Sequence, residues 1–246
     1  MKRLHLSNKI KTWKERHHDS LSSFTTGFTA TVLGIVLTFG TTMWYERKQK
    51  AEAAEALVES CLSNMEVRLN NLNGVVKMYD RQNQLFSMAT SMPLDSLTDA
   101  EVSELIDLFA WQYNLVVDHS YEKSFSMSTN SHEILGSFAN VIGAGFEYLH
   151  EAEENHQKVN DLKKELRRSM IVEKQVKFDQ NSMRQFVMAT LADPLFGYFQ
   201  LEYMQQERSV RRYQHYLEYF IPEARRLWKG EINEDEFWTK TRERWE

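Results

Sequence analysis

The chain has one cysteine, three prolines and nine glycines in 246 residues. A lone Cys61 excludes an internal disulfide framework; the residue is either a link between chains or, as expected here, a small, partly buried helix residue. Scarce cysteine is compatible with an exported bacterial domain without fixing the compartment. Few prolines (Pro93, Pro194, Pro222) and few glycines leave little turn chemistry for a many-stranded fold. Alternating apolar–polar runs bounded by turn residues are also missing, so the fold class is all-α. No Gly-x-x-x-x-Gly-Lys, Gly-x-Ser-x-Gly or His-Glu-x-x-His occurs, and no catalytic, cofactor or metal residue is assigned.

Charge is missing from one long stretch. Ser20 to Tyr45 is 26 residues without a charged side chain. A hydrocarbon core about 30 Å thick takes roughly 20 helical residues, and Phe24–Tyr45 supplies them. Val32, Leu33, Ile35, Val36, Leu37 and Phe39 form the apolar centre, and Trp44 and Tyr45 stand where an interfacial aromatic belt is expected. A buried core helix would be shorter and without basic clusters at both ends. A cleaved signal peptide would have a shorter apolar region ending at small residues; this one runs into Glu46-Arg47-Lys48-Gln49-Lys50. The expectation is an uncleaved signal anchor: a basic cytoplasmic tail over 1–20, a transmembrane helix over 21–45 and a helical ectodomain over 46–246.

Lys2, Arg3, Lys9, Lys11, Lys14 and Arg16 precede the span, whereas Arg47, Lys48 and Lys50 follow it. This asymmetry places the N-terminus in the cytoplasm and the bulk outside, across the inner (cytoplasmic) membrane. The basic cluster with Leu6, Ile10 and the interfacial anchor Trp13 reads either as an amphipathic segment on the anionic leaflet or as a tail that sets topology. A tail of about 20 residues leaves no room for a kinase or cyclase output. Residues 1–50 carry nine Lys/Arg against Glu15, Asp19 and Glu46, a net of +6, so the other residues carry −11. An acidic bulk argues against nucleic acid as a partner.

Within the span, Gly27, Thr31, Gly34, Thr38 and Thr41 alternate four and three apart, and Ala30-x-x-x-Gly34 adds a close-approach pair. Small residues let helix backbones approach, so this stripe is the candidate surface for self-association in the membrane. The alternative is a lone anchor whose threonines bond their own backbone. The expected partners are the lipid bilayer, a second copy in a homo-oligomer, and a membrane or envelope protein.

Past the span, Ala51, Ala53, Ala54 and Ala56 favour helix. Val58, Leu62, Met65, Leu69, Leu72, Val76 and Tyr79 recur at coiled-coil spacing, which suits a bundle core or an oligomer seam. Asn73-Gly74 is a turn signal, but the apolar register runs through it, predicting a continuous helix. Thr98-Asp99-Ala100-Glu101 reads as a capping box opening a helix through about Tyr113. A longer helix carries Leu135, Phe138, Val141, Ile142, Phe146 and Leu149, and the polar run Glu151–Glu165 is expected to be solvated.

Phe178, Met183, Phe186, Met188, Phe196, Tyr198, Phe199, Tyr203 and Met204 are expected to fill a core. Glu147-x-x-His150 has the spacing of a di-iron ligand pair, but Glu147 sits in an acidic, surface-like run, predicting solvation. Arg208, Arg211, Arg212, Arg225 and Arg226 with nearby tyrosines read as helix faces paired to Glu.

Trp44-Tyr45-Glu46-Arg47-Lys48, and Ser120-Tyr121-Glu122 with the Ser128–Ser131 break, resemble two segments of a family of short bacterial membrane proteins known only as a domain of unknown function. The resemblance is clearest over residues 24–80. It implies membrane anchoring and a helical ectodomain and brings no catalytic residues. The function expected is a membrane-anchored helical interaction or assembly module; the alternatives are a membrane-tethered receptor or enzyme with a site built across helices, and an oligomeric pore-forming effector.

Overall fold

No proline precedes Pro93, and strong helix formers crowd the stretch after Lys48. In the computed structural model these residues form one helix, α1, Lys2–Ser91. The structure describes residues 2–91, 93, 96–110, 112–115, 117–127, 131–177 and 182–245, with side chains from residue 28 onward except those of 110, 127, 131 and 132. The side chains of the basic cluster and of Trp13, and the surroundings of Gly27, fall outside this description, as do Trp111, Phe178 and the 128–130 break.

The remaining elements are α2 (Asp99–Leu105), α3 (Asp107–Ala110), α4 (Ser120–Met127), α5 (Ser131–Leu135), α6 (Phe138–Arg168) with a π-helical turn at Ser169–Glu173, α7 (Met183–Leu191), α8 (Pro194–Trp228) and α9 (Glu234–Trp245). No strand occurs among the described residues, and the fold is all-α. The chain divides into two compact units, Met1–Glu55 and Ala56–Glu246.

In the first unit, α1 contains the one segment among the described residues that is long and apolar enough to cross a membrane. None of that apolar window is buried in protein. Leu33, Val36, Leu37, Phe39, Met43, Trp44 and Tyr45 are all more than half exposed.

The second unit is built on three long helices. The α1 seam continues with Val58, Leu62, Met65, Leu69, Leu72 and Tyr79 buried, and Cys61 fully so. Burial raises the Cys61 thiol to about 11, which makes it inert. Asn73-Gly74 does not break the helix: a Cβ on Gly74 would stand 2.9 Å from the Tyr113 hydroxyl, so the glycine is the seat of that ring. Arg68 pairs with Glu153 and Tyr79 with His156, so α6 runs parallel to α1. Arg225 pairs with Glu59 and Arg211 with Asp80, so α8 returns antiparallel.

Two aromatic clusters close the bundle. Phe86 stacks on Phe196, Phe199 and Tyr203 at one end, where Phe109 also meets Phe186 and Phe196. Tyr148, Tyr216, Phe220 and Trp245 meet at the other, with α9 folded onto α8 through Phe237 against Phe220. α8 opens on an Asp193 cap with Pro194 in its first turn, and Asn233 accepts from the Glu236 amide to start α9. Gly230 at φ +71 takes the left-handed exit from α8.

Four sequence expectations are corrected. The Thr98 capping box forms, but its helix stops at Leu105 and α3 ends at Ala110. Gln112 and Tyr113 are non-helical because the Tyr113 carbonyl is held by His156 and Asn160. Leu135 belongs to α5, separated from α6 by Gly136 at φ +59. The run Glu151–Glu165 is not wholly solvated: α6 buries Asn155, His156, Asn160 and Lys163 on its inner face. Tyr198 and Met204, assigned to the core, lie 56% and 46% exposed.

Candidate functional site

Along the apolar segment of α1, Ala30, Thr31, Gly34, Thr38 and Thr41 are exposed. The threonine hydroxyls donate to their own backbone: Thr38 to Gly34 at 2.7 Å, Thr41 to Leu37 at 2.8 Å and Thr42 to Thr38 at 2.9 Å. A Cβ on Gly34 would meet nothing within 4 Å. At the end of that segment, Trp44 is exposed and Lys48 lies 5.7 Å from its ring centre, a cation–π contact beside the exposed Tyr45.

The second unit carries a buried polar layer that sequence reasoning misses. Tyr79 of α1 meets His156 of α6, Oη to Nδ1, at 2.8 Å. Nε2 of the same imidazole lies 2.6 Å from the Tyr113 carbonyl, and Asn160 donates to that carbonyl at 2.9 Å. A carbonyl only accepts, so Nε2 carries the proton and Tyr79 donates to Nδ1. Burial holds His156 below the usual imidazole range; the Tyr113 carbonyl opposes the shift and Lys163 adds to it. Lys163, one turn beyond Asn160, is 1% exposed. Burial pulls its amine down to about 7, against the opposing pull of Asp107.

Gln82, the Asn160 side-chain oxygen and the Tyr203 hydroxyl are buried with no hydrogen-bond partner among the described residues. His156, Asn160 and Lys163 recur four and three residues apart, in phase with Leu149, Ala152 and Val159. That phase is the signal that locates them.

A second cluster is ionic. Arg68, 1% exposed, forks onto Glu153 at 2.8 and 2.6 Å and reaches Glu122 at 3.0 Å. Burial opposes the guanidinium charge, but the two carboxylates outweigh it and hold Arg68 above its ordinary value. Burial pushes Glu122 up, yet bonds to His119 and Arg68 leave it lowered. The Glu-x-x-His spacing of Glu147–His150 recurs at Glu153–His156. Glu147 and His150 are exposed, while Glu153 and His156 are taken by Arg68 and by Tyr79 with Tyr113. Both pairs sit on α6, so they do not converge from separate helices as a di-iron site requires.

The basic residues of α8 are largely paired. Arg211 binds Glu207 and Asp80, Arg225 binds Glu59 and Glu66, and Arg226 binds Glu223. Arg212 lies 4.5 Å over Trp245. Arg208 instead lines a groove of about 410 Å³ with Asn83, Phe86, Thr90, Met204 and Glu207. On the other flank of α8, a groove of about 290 Å³ is lined by Leu162, Glu165, Arg168, Glu173, Leu195 and Tyr198. Neither groove is lined by His156, Lys163 or Tyr79. No family model, curated protein or solved structure matches the chain.

Proposed function

We propose that the chain is a single-pass protein of the inner membrane, N-terminus cytoplasmic, whose unit Ala56–Glu246 is an interaction or assembly module outside the cytoplasm. One contrast carries this reading. The apolar segment of α1 leaves its large side chains exposed on every side, as a lipid-facing helix does. In the second unit, by comparison, aromatic clusters fill the interior, and the spaces of about 410, 290 and 430 Å³ are open grooves at the surface. The excess of basic residues before the span supports the orientation. Protease added to spheroplasts should degrade the region after Tyr45 and spare the N-terminus. An intact C-terminal region beside a cut N-terminus rejects the orientation, and full release of the chain by alkaline carbonate rejects the anchor.

A membrane-tethered receptor or enzyme is the second reading, favoured by the juxtaposition of Tyr79, His156 and Lys163. It requires access to the amine. Labelling of Lys163 by an amine reagent at pH 8 in the folded chain supports it, and protection of Lys163 supports a structural layer. A pore-forming role rests on the Gly/Thr stripe and predicts that Gly34→Leu abolishes conductance in planar bilayers. The intrahelical bonds of Thr38, Thr41 and Thr42 favour a lone anchor instead.

A further inference from the structure

The first turns of α8, Pro194 to Met204, contain one charge, Glu202, in eleven residues. Phe196, Phe199 and Tyr203 point into the bundle and are buried, while Leu195, Tyr198, Leu201 and Met204 are 42, 56, 69 and 46% exposed. At 100° per residue these four wind across the outer half of the helix. Their ends lie in the two flanking grooves, Leu195 in one and Met204 in the other. A helix apolar on every side is normally covered on every side.

The neighbouring π-helical turn adds Ile171 and Val172. It is held beside α8 by the ion pair of Lys174 with the cap residue Asp193. Of the eight large apolar side chains exposed among the described residues of the second unit, six therefore lie on this face; Val67 and Tyr121 are the others.

Charge narrows the occupant. Residues 56–246 carry a net −9, because Glu52 and Glu55 account for two units of the net −11 past residue 50. The groove residues Glu165, Glu173 and Glu207 are matched by Arg168, Arg208 and Arg211, leaving only Glu202 in excess. Two copies of an acidic unit repel one another over most of their surface, and here only the two Glu202 side chains oppose the contact. A lipid-docking face would instead carry a cationic rim.

An apolar patch of roughly 300–600 Å² is the largest an ordinary monomer exposes. A standard interface draws about 800 Å² from each partner and is centred on a few large apolar or aromatic side chains, the kind of side chain this face exposes. We propose that the outer face of α8, centred on Tyr198 and Leu201 and extended by Ile171 and Val172, is an isologous dimer interface that seats the same face of a second copy. The inference rests on the membrane-anchored reading, since anchoring places copies in one plane and one orientation and so raises their effective concentration.

The test uses the full chain in mild detergent, with mass measured by light scattering over a protein dilution series. The wild type is expected to dimerise. The Tyr198→Glu/Leu201→Glu double variant should dissociate at a concentration at least roughly tenfold higher, with unchanged helicity and melting temperature because both side chains are exposed. In native membranes, Leu201→Cys should give a crosslinked dimer with a bifunctional maleimide, and wild type should give none because Cys61 is buried. That crosslink decides the matter should the double variant fold poorly.

A wild type monomeric at every concentration overturns the inference, as does a dimer indifferent to the double variant. If Gly34→Leu alone dissolves the dimer, the contact lies in the span; this proposal falls while the assembly reading stands. If wild type is monomeric and a different bound protein or a lipid vesicle is lost in the double variant, the second copy is rejected as occupant. Failure of anchoring itself shows separately, as recovery of the chain in the soluble fraction.

Discussion

Tyr79 donates its hydroxyl hydrogen to Nδ1 of His156 across the interior of the bundle, 2.8 Å away, and this bond fixes the imidazole as its Nε2–H tautomer. Tyr79→Phe leaves that lone pair buried and unpaired. The expected cost is about 1–3 kcal/mol, read as a lower urea midpoint at pH 7. Tyr203→Phe is the control, because it removes a hydroxyl that has no partner among the described residues. That variant should be as stable as wild type or more so. A Tyr203→Phe loss equal to that of Tyr79→Phe would show that the hydroxyls are not distinguished in this way.

Lys163 sets the pH dependence. Its amine falls from an ordinary 10.5 to about 7 on burial. Between those values the unfolded chain holds the proton more tightly than the folded one, so stability rises with pH across the window. The contribution is complete above 10.5 and lost as pH falls through about 7. His156 acts in the same direction lower down: its depressed value stabilises the fold above 6.5 and ceases to do so as pH falls further. Lys163→Met should abolish the alkaline slope, so its melting-temperature advantage over wild type is largest near pH 7 and shrinks toward pH 10. Parallel profiles for the two proteins would dismiss Lys163 as the source.

Apolar periodicity carries the long elements from the sequence. The seam from Val58 to Tyr79 is buried as its spacing predicts, with Val76 at its margin. The Thr98 box, the Asp193-Pro194 start and the Gly230 exit are local chemistry that needs no tertiary partner. What periodicity misses is polar burial. Composition makes Glu151–Glu165 look solvated, yet Lys163 and His156 are among its most enclosed side chains, because partners from distant parts of the chain receive them. The same dependence ends the α2–α3 region early, where a tertiary bond to the Tyr113 carbonyl outweighs local helix preference. The exposed stripe of α8 is hidden for the opposite reason: Leu201 and Phe199 are equally apolar, and only the fold decides which one is covered.

Gly145 of α6 sits at a close contact with side chains of α1 and α8. A Cβ there would stand 2.8 Å from Met65 Sδ and 3.0 Å from Phe220 Cε1. The methionine tip can shift for a methyl group, but the aromatic ring leaves no room for a larger side chain. Gly145→Leu is expected to cost about 3 kcal/mol by overpacking. Gly143, two residues earlier with nothing within 4 Å of the same position, should accept Ala with a gain of roughly 0.5–1 kcal/mol from helix propensity alone. Chemical denaturation of both variants tests the contrast, and a stable Gly145→Leu protein would refute the close approach.

Arg68 separates an ion pair that stabilises from one that specifies. Its guanidinium is almost wholly enclosed and its carboxylate partner Glu153 is nearly so, so removing one charge strands the other. Arg68→Ala should lower stability by about 3–5 kcal/mol. Arg68→Lys should recover part of this, because an ammonium cannot reproduce the two-pronged contact with Glu153. Replacing both partners, as Arg68→Met with Glu153→Leu, removes the desolvation penalty together with the attraction. The double variant should therefore fall well short of the loss seen for Arg68→Ala, and in a double-mutant cycle the coupling should exceed roughly 1 kcal/mol. Additive losses across the cycle would mean that Arg68 acts through its packed stem rather than its charge. In that event the parallel pairing of α1 with α6 would rest on the apolar seam and the Tyr79–His156 bond.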